Sequence, residues 1–312
     1  MGYTSYSKVD YGSTMRSRSL DGIKTFALHD DIIAGKAVAA VHANKSAKSV
    51  TRECRDSDAH PSTLPVAIWL DFTGSMQKVP EILLKSLHDL MAGFLEAKAS
   101  GRTYLNDTYP SVMLSGFDDY NALQWGGQAA ATLQIGQFET GAIELIAGMD
   151  EFWLTGNGGG TNQEQSEAAA YFMLHCVETD HWDKRGGKGY LFIVTDEAPY
   201  DRLSSKVASE VLGITLQEEP TSDQIFAELQ DRYHVCCITP KMTSNFGASW
   251  LQSRWRKLVG PQNYIELDDP SKICSQIVGF VASCEGVATS DEIAQDLGID
   301  ASTLAMVRPD AN

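Results

Sequence analysis

The feature that most constrains the fold is an apolar run that stops abruptly at a carboxylate. Residues 66–70 read Val-Ala-Ile-Trp-Leu, with Pro65 before them and Asp71 after them. Five consecutive apolar residues between a proline and a polar turn are typical of a strand buried on both faces, as in a parallel sheet. The run therefore predicts a central strand whose polar residues begin at its carboxyl end.

Oxygen-bearing side chains follow this strand at alternate positions. Asp71, Thr73 and Ser75 project to one side of an extended segment, and Gly74 leaves the backbone free to turn. Hard oxygen ligands on one face suit Mg²⁺ or a similar cation, which needs further oxygens as well. The same residue types also begin helices as N-caps, so this segment alone leaves both interpretations open.

Two later segments favour the metal interpretation. Residues 156–162 form a glycine-rich loop with one threonine, and residues 190–197 are a second apolar run ending in Thr-Asp-Glu. Together these segments resemble, in order and approximate spacing, the metal-ion-dependent adhesion site (MIDAS) of von Willebrand factor A (vWA) domains. The five matching residues are Asp71, Thr73, Ser75, Thr161 and Asp196. The match departs from the commonest pattern at Thr73, which is usually Ser, and at Glu197, where many members have Gly.

The resemblance covers about residues 62 to 285 and implies a fold and a ligand. The fold would be Rossmann-like α/β, a doubly wound, mostly parallel open sheet with one antiparallel edge strand and helices on both faces. The site would hold one divalent cation, Mg²⁺ first, with Mn²⁺ and Ca²⁺ as alternatives. In family members the hydroxyls tend to bind the ion directly and a carboxylate acts through water, which leaves a position for the Asp or Glu of a partner.

The pattern along the chain predicts the same architecture independently. Strands alternate with helices, as in an open sheet covered on both faces, and ligands of such sheets bind at the carboxyl ends of the strands. Residues 111–117 predict a strand, and a hairpin would lead from it to an edge strand at residues 122–125. The acidic pair at the tip, Asp118 and Asp119, is interpreted as a solvated turn, with an outer-sphere role at the metal as the alternative.

Composition bounds the partners and the compartment. The net charge is −16, and residues 1–60 carry nine Lys/Arg and seven Asp/Glu, which leaves −18 for the remainder. An acidic body without a basic, aromatic-rich stripe argues against nucleic-acid binding. The chain has neither a run long enough to cross a membrane nor a secretory signal. Six cysteines without a C-x-x-C pair indicate reduced thiols, so we expect a cytoplasmic protein.

We expect three segments. Residues 1–60 would be an arm that is partly extended or ordered by a partner, residues 61–286 the vWA domain, and residues 287–312 a short tail. Within the tail, residues 289–298 carry a helix-capping signature.

Three functions remain open on this basis. The first is a metal-dependent protein-interaction module that captures a partner's acidic residue, and intracellular bacterial and phage vWA proteins imply an adaptor to a MoxR-type AAA+ ATPase or a part of a larger assembly. The second is a metal-dependent hydrolase or phosphotransferase, which lacks a base or nucleophile near these loops. The third is a purely structural metal site. The sequence specifies neither the partner nor the oligomeric state.

Overall fold

The computed structural model describes residues 5–105, 108–125 and 127–304. In chain order the strands are β1 (Arg52–Cys54), β2 (Thr63–Asp71), β3 (Tyr109–Phe117), β4 (Leu133–Gln134), β5 (Phe138–Glu139), β6 (Gln163–Glu164), β7 (Val177–Thr179), β8 (Gly189–Val194), β9 (Ala198–Pro199), β10 (Tyr233–Pro240) and β11 (Tyr264–Leu267). The helices are α1 (Lys8–Leu20), α2 (Ala27–Ile33), α3 (Val79–Leu95), α4 (Ala142–Met149), α5 (Ser166–His175), α6 (Asp180–Arg185), α7 (Ser205–Val207), α8 (Ser222–Arg232), α9 (Ser249–Val259), α10 (Ile273–Cys284) and α11 (Ser290–Leu297).

A seven-stranded sheet forms the centre of the molecule. Its order is β11-β10-β8-β2-β3-β4, and β5 also pairs with β3. Strands β11, β10, β8, β2 and β3 run parallel, whereas β4 and β5 are antiparallel to β3. Two further short pairs, β1 with β7 and β6 with β9, lie outside this sheet. The predicted doubly wound, mostly parallel α/β fold is confirmed.

Strand β2 is buried along its whole length because helices cover both faces of the sheet. Its alternate side chains enter two separate cores, with Ile68 in one and Trp69 in the other. The first core includes apolar residues of α3 and α10, and the second includes those of α5, α8 and α9. A strand with two buried faces reads as a continuous apolar run, which is why this strand could be recognised from the sequence.

The predicted hairpin to an edge strand at residues 122–125 is wrong. Tyr120–Trp125 is a 3₁₀ helix, and the antiparallel pairing with β3 is made by β4 and β5 further along the chain. Each of these strands has two residues, too few to show an alternating pattern. The acidic pair before the 3₁₀ helix is buried, so its interpretation as a solvated turn is also wrong.

The ends of the described chain pack on the α3 side of the sheet. The Tyr11 hydroxyl on α1 donates to the Lys85 carbonyl oxygen at 3.2 Å, and the Arg18 guanidinium pairs with Asp150. Helix α11 begins with the predicted cap, because Thr289 and Glu292 form a capping box. Across residues 5–105, 108–125 and 127–304, the helices are all too short or too polar to cross a membrane.

Candidate metal centre

The two predicted aspartates meet at the carboxyl edge of the sheet. Asp71 is the last residue of β2, and Asp196 lies two residues beyond the end of the neighbouring β8, whose Val194 is opposite Leu70. Neither carboxylate is exposed to solvent. Burial raises the pKa of Asp71 well above its usual range, and the negative charge of Asp196 adds to this effect. The pair therefore favours a proton or a cation between its members.

Two hydroxyls complete this group. The chain makes a 3₁₀ turn at Gly74–Met76, which brings the side chains on either side of Gly74 to the carboxylates. The Thr73 hydroxyl donates to Asp71 Oδ1 at 2.5 Å, and the Ser75 hydroxyl donates to Asp196 Oδ1 at 2.6 Å. A β-carbon on Gly74 would lie 2.9 Å from the Gly156 carbonyl oxygen, so glycine is needed for this close approach.

The positions of the two hydroxyl oxygens fit a small divalent ion. Thr73 Oγ1 and Ser75 Oγ are 3.0 Å apart, and the proton of each is directed to a carboxylate. Their lone pairs are therefore available to the same external ligand. Adjacent ligands of an octahedral Mg²⁺ about 2.1 Å from the ion are about 3.0 Å apart, whereas the longer Ca²⁺ bonds require a wider spacing. Two hydroxyls, with two carboxylates behind them, are thus a donor set that Mg²⁺ accepts.

The outer oxygens of both carboxylates are fixed by residues that the sequence analysis did not assign to the site. The Thr195 hydroxyl donates to Asp71 Oδ2 at 2.7 Å, and the Asn245 backbone N–H donates to Asp196 Oδ2 at 2.9 Å. Thr195 could have been noticed because it precedes Asp196 in the second apolar run. Asn245 acts through its backbone in a loop after β10, which leaves no signal in the sequence.

The fifth predicted residue, Thr161, is placed differently. Its side chain is exposed, and its hydroxyl lies 2.9 Å from the Tyr200 hydroxyl and 3.4 Å from Asp119 Oδ2. Among the hydrogen bonds of the described residues, none joins Thr161 to Asp71, Thr73, Ser75 or Asp196. The structure thus brings four of the five predicted residues together and connects the fifth to a neighbouring acidic group.

Five further acidic residues lie around the group formed by Asp71, Thr73, Ser75 and Asp196. Asp118, Asp119, Glu164 and Glu167 are buried, and Glu197 is partly buried. Burial raises the pKa of Asp118 to about 7 and, with the charge of Asp196, that of Glu197 to about 7. Including Asp71 and Asp196, seven carboxylates lie in this region, and no ion pair within the described part of the chain includes any of them. We call these seven residues the acidic cluster.

Glu164, like Glu167, is a member of the acidic cluster that no sequence pattern identified. It is 1% exposed, and its Oε2 atom has no hydrogen-bond partner among the described residues. Burial raises the pKa of Glu164 well above its usual range, and the charges of Asp71 and Glu197 raise it further. In the described residues, no three His, Cys, Asp or Glu side chains converge closely enough to bind a metal by themselves. The hydroxyls are therefore essential to the candidate centre.

Fold and site together define an α/β protein with a candidate divalent-cation centre at the carboxyl edge of its sheet. No family model matches the chain, and no curated protein matches it. Among solved structures, the chain is similar to the pilus adhesin SpaC from Lactobacillus rhamnosus GG in its open conformation, with 12% identity and a TM-score of 0.47 over 78% of this chain and 33% of that one.

The chain is also similar to proximal thread matrix protein 1 from the mussel byssus, with 11% identity and a TM-score of 0.43 over 77% of this chain and 47% of that one. Another structure of the same mussel protein, described as having a zinc-occupied MIDAS motif, gives 9% identity and a TM-score of 0.44 over 71% of this chain and 45% of that one. The chain thus spans a third to a half of these structures. Similarities of this size assign neither family nor function.

Proposed function

We propose that this chain is a vWA-type protein-interaction module that captures an acidic residue of a partner through a divalent cation. Mg²⁺ is the ion that we propose first, and Mn²⁺ is its closest substitute. The observation that carries the proposal is the pair of hydroxyl oxygens of Thr73 and Ser75, 3.0 Å apart, with both protons directed to buried carboxylates. Residues Asp71, Thr73, Ser75 and Asp196 would hold the ion.

The charge of the region explains why capture would depend on the metal. A partner's Asp or Glu would approach the acidic cluster, which repels it when no cation is bound. A bound divalent cation neutralises the charges of Asp71 and Asp196 and offers a ligand position to an incoming carboxylate. Partner binding would therefore be absent without the cation, and partner affinity would rise steeply as the cation fills the centre.

A groove beside the candidate centre provides a surface for the rest of the partner. Its volume is about 380 Å³, and residues lining it include Thr161, Pro199, Trp250 and Arg254. The Trp250 side chain is 44% exposed, which is unusual for tryptophan on a protein surface, and aromatic residues commonly anchor protein interfaces. We propose that the partner's acidic residue reaches the ion while a neighbouring apolar side chain contacts Trp250.

The finer assignments follow from the sequence resemblance. They are a cytoplasmic location and a role as an adaptor to a MoxR-type AAA+ ATPase or as part of a larger assembly. Such a partner would present Asp or Glu to the ion, as the candidate centre requires. These assignments name the first partners to test, because an ATPase of that type can be purified and mixed with this chain directly.

The test is partner capture with and without metal. Immobilised full-length protein is incubated with an extract of its native host in Mg²⁺ or in EDTA, and bound proteins are identified by mass spectrometry. Wild type and the Glu218→Ala control, which changes an exposed carboxylate outside the groove, should retain the same protein in Mg²⁺ only. Asp71→Ala should retain none while keeping its far-UV circular dichroism spectrum. Capture by folded Asp71→Ala protein, or equal capture in EDTA, would overturn the proposal.

A further inference from the structure

We infer that Glu164, and not Thr161, is the residue through which the glycine-rich segment serves the cation, by accepting a hydrogen bond from a cation-bound water. This inference rests on the proposed cation at Asp71, Thr73, Ser75 and Asp196. It makes Glu164, which is not among the five predicted residues, a positioning residue. It also removes Thr161 from the predicted ligand set.

Backbone pairing places Glu164 next to the segment that carries Asp196. Strand β6 pairs in parallel with β9, so Glu164 lies opposite Pro199, three residues after Asp196. On the other side, the Gln165 N–H donates to the Asp118 carbonyl oxygen at 3.4 Å. A β-carbon on Gly158 would lie 3.9 Å from Glu164 Oε1, so the glycine loop passes directly over this carboxylate. Glu164 is thus held between the loops of the candidate centre by main-chain contacts.

The surroundings of Glu164 require a positively charged or proton-donating group. Its Oε2 atom is buried and without a hydrogen-bond partner among the described residues, and leaving such an acceptor unsatisfied is costly. The charged groups that act on it are all negative, with Asp71 the strongest. Glu197, which is close enough to share a hydrogen bond with Glu164, is also a carboxylate. The chain itself therefore supplies only acidic neighbours at this position, and a cation with its bound water would supply the donor that Oε2 lacks.

A water between Glu164 and the ion agrees with the geometry. Asp71, Asp196 and Glu164 do not converge closely enough to form a three-carboxylate centre on their own. Mg²⁺ keeps several waters when it binds proteins, and each of them is a strong hydrogen-bond donor. A carboxylate that accepts from such a water fixes its orientation, and removal of comparable partners typically lowers metal affinity 10- to 100-fold.

Thr161 is occupied elsewhere. Its hydroxyl contacts the Tyr200 hydroxyl and Asp119, and Tyr200 also donates to Asp119 Oδ1 at 2.9 Å. A β-carbon on Gly159 would lie 1.7 Å from Asp119 Oδ2, so this part of the loop is shaped to fit Asp119. The threonine therefore secures the loop to the acidic cluster at a point where its own side chain is exposed.

The experiment is Mn²⁺ binding to the full chain, measured by isothermal titration calorimetry and by the electron paramagnetic resonance signal of free Mn²⁺. Glu164→Gln should weaken binding at least tenfold, and Glu164→Asp, which keeps the charge but withdraws it by one methylene, should weaken it less. Thr161→Val should change affinity less than threefold. Glu139→Gln is the matched control, because Glu139 is a partly buried carboxylate on β5 outside the acidic cluster, and burial raises its pKa as well; it should bind like wild type.

Stability without metal separates this role from a structural one. Glu164→Gln removes a repelled charge, so it should raise the metal-free melting temperature while lowering Mn²⁺ affinity. Unchanged affinity in folded Glu164→Gln, or a tenfold loss in Thr161→Val, would overturn the inference and leave the proposed function standing. Failure of wild-type protein to bind Mn²⁺ would instead overturn the proposed function, and the inference with it.

Discussion

Replacing Asp71 by asparagine isolates the contribution of the central carboxylate, because asparagine has the same shape and keeps most of the hydrogen bonds. Its side-chain oxygen can accept from the Thr73 N–H and hydroxyl, which lie 2.8 and 2.5 Å from Asp71 Oδ1. Its amide would face the Thr195 hydroxyl, which can turn its proton toward the Glu197 carbonyl oxygen 3.5 Å away. The variant should therefore fold.

The size of the effect follows from the linkage between binding and folding. An ion present at 100 times its dissociation constant stabilises the native state by about 2.7 kcal/mol. For a chain of this length, about 1 kcal/mol corresponds to about 2 °C in melting temperature, so saturating Mg²⁺ should raise that of wild type by about 5 °C. In the absence of metal, Asp71→Asn replaces a carboxylate that accepts three hydrogen bonds by a neutral amide. This change lowers the free energy of unfolding by at most about 3 kcal/mol. Reduced repulsion of Asp196 offsets part of this cost.

The assay is differential scanning fluorimetry over a Mg²⁺ series, with Asp201→Asn as the control for a general charge effect. Wild type and the control should shift by about 5 °C, and Asp71→Asn should shift by less than a fifth of that. If Asp71→Asn retained the full shift, the cation would bind elsewhere, and the assignment of the centre to the β2 and β8 edge would be refuted.

Two further predictions concern regions outside the centre. Although burial raises the pKa of Asp56, hydrogen bonds from Arg185 and Thr63 hold it well below its usual range. The stabilisation of the folded state by ionised Asp56 is thus complete above the pKa of about 4 that Asp56 has in the unfolded chain. It is lost progressively as the pH falls below that value. Urea unfolding should show Asp56→Asn to be less stable than wild type by about 2 kcal/mol at pH 7, and the difference should narrow between pH 5 and pH 2. A constant difference would contradict this assignment. Separately, Trp250→Ala should weaken capture of the partner at least tenfold and leave Mn²⁺ affinity unchanged, and equal losses in both would show that Trp250 serves the centre and not the partner.

The fold could be predicted because a parallel sheet covered on both sides has a distinctive sequence pattern. Residues 66–70 of β2 and 190–194 of β8 are continuous apolar runs, and an aspartate of the candidate centre follows each run within two residues. Strands β4 and β5 escaped prediction because two residues carry no periodicity, and their pairing with β3 depends on contacts made after a long connection.

The candidate centre was predictable only where its residues follow a strand. Alternate spacing after β2 identified Asp71, Thr73 and Ser75, and hydrogen-bond contacts join these three side chains in the structure. The position of Thr161 depended on the path of a loop with four glycines, which local sequence does not determine. Glu164 became visible only through the pairing of β6 with β9, and neither strand is longer than two residues.

The parts that surround Asp71 and Asp196 are far apart along the chain, from the turn after β2 to the backbone of Asn245 beyond β10. During synthesis the centre therefore cannot exist until the last of these segments has emerged and β10 has joined the sheet. An ion that needs all of them can bind only after the folding barrier has been crossed. It would accordingly lengthen the lifetime of the folded chain by slowing its unfolding, with little influence on how quickly that chain first reaches its native form.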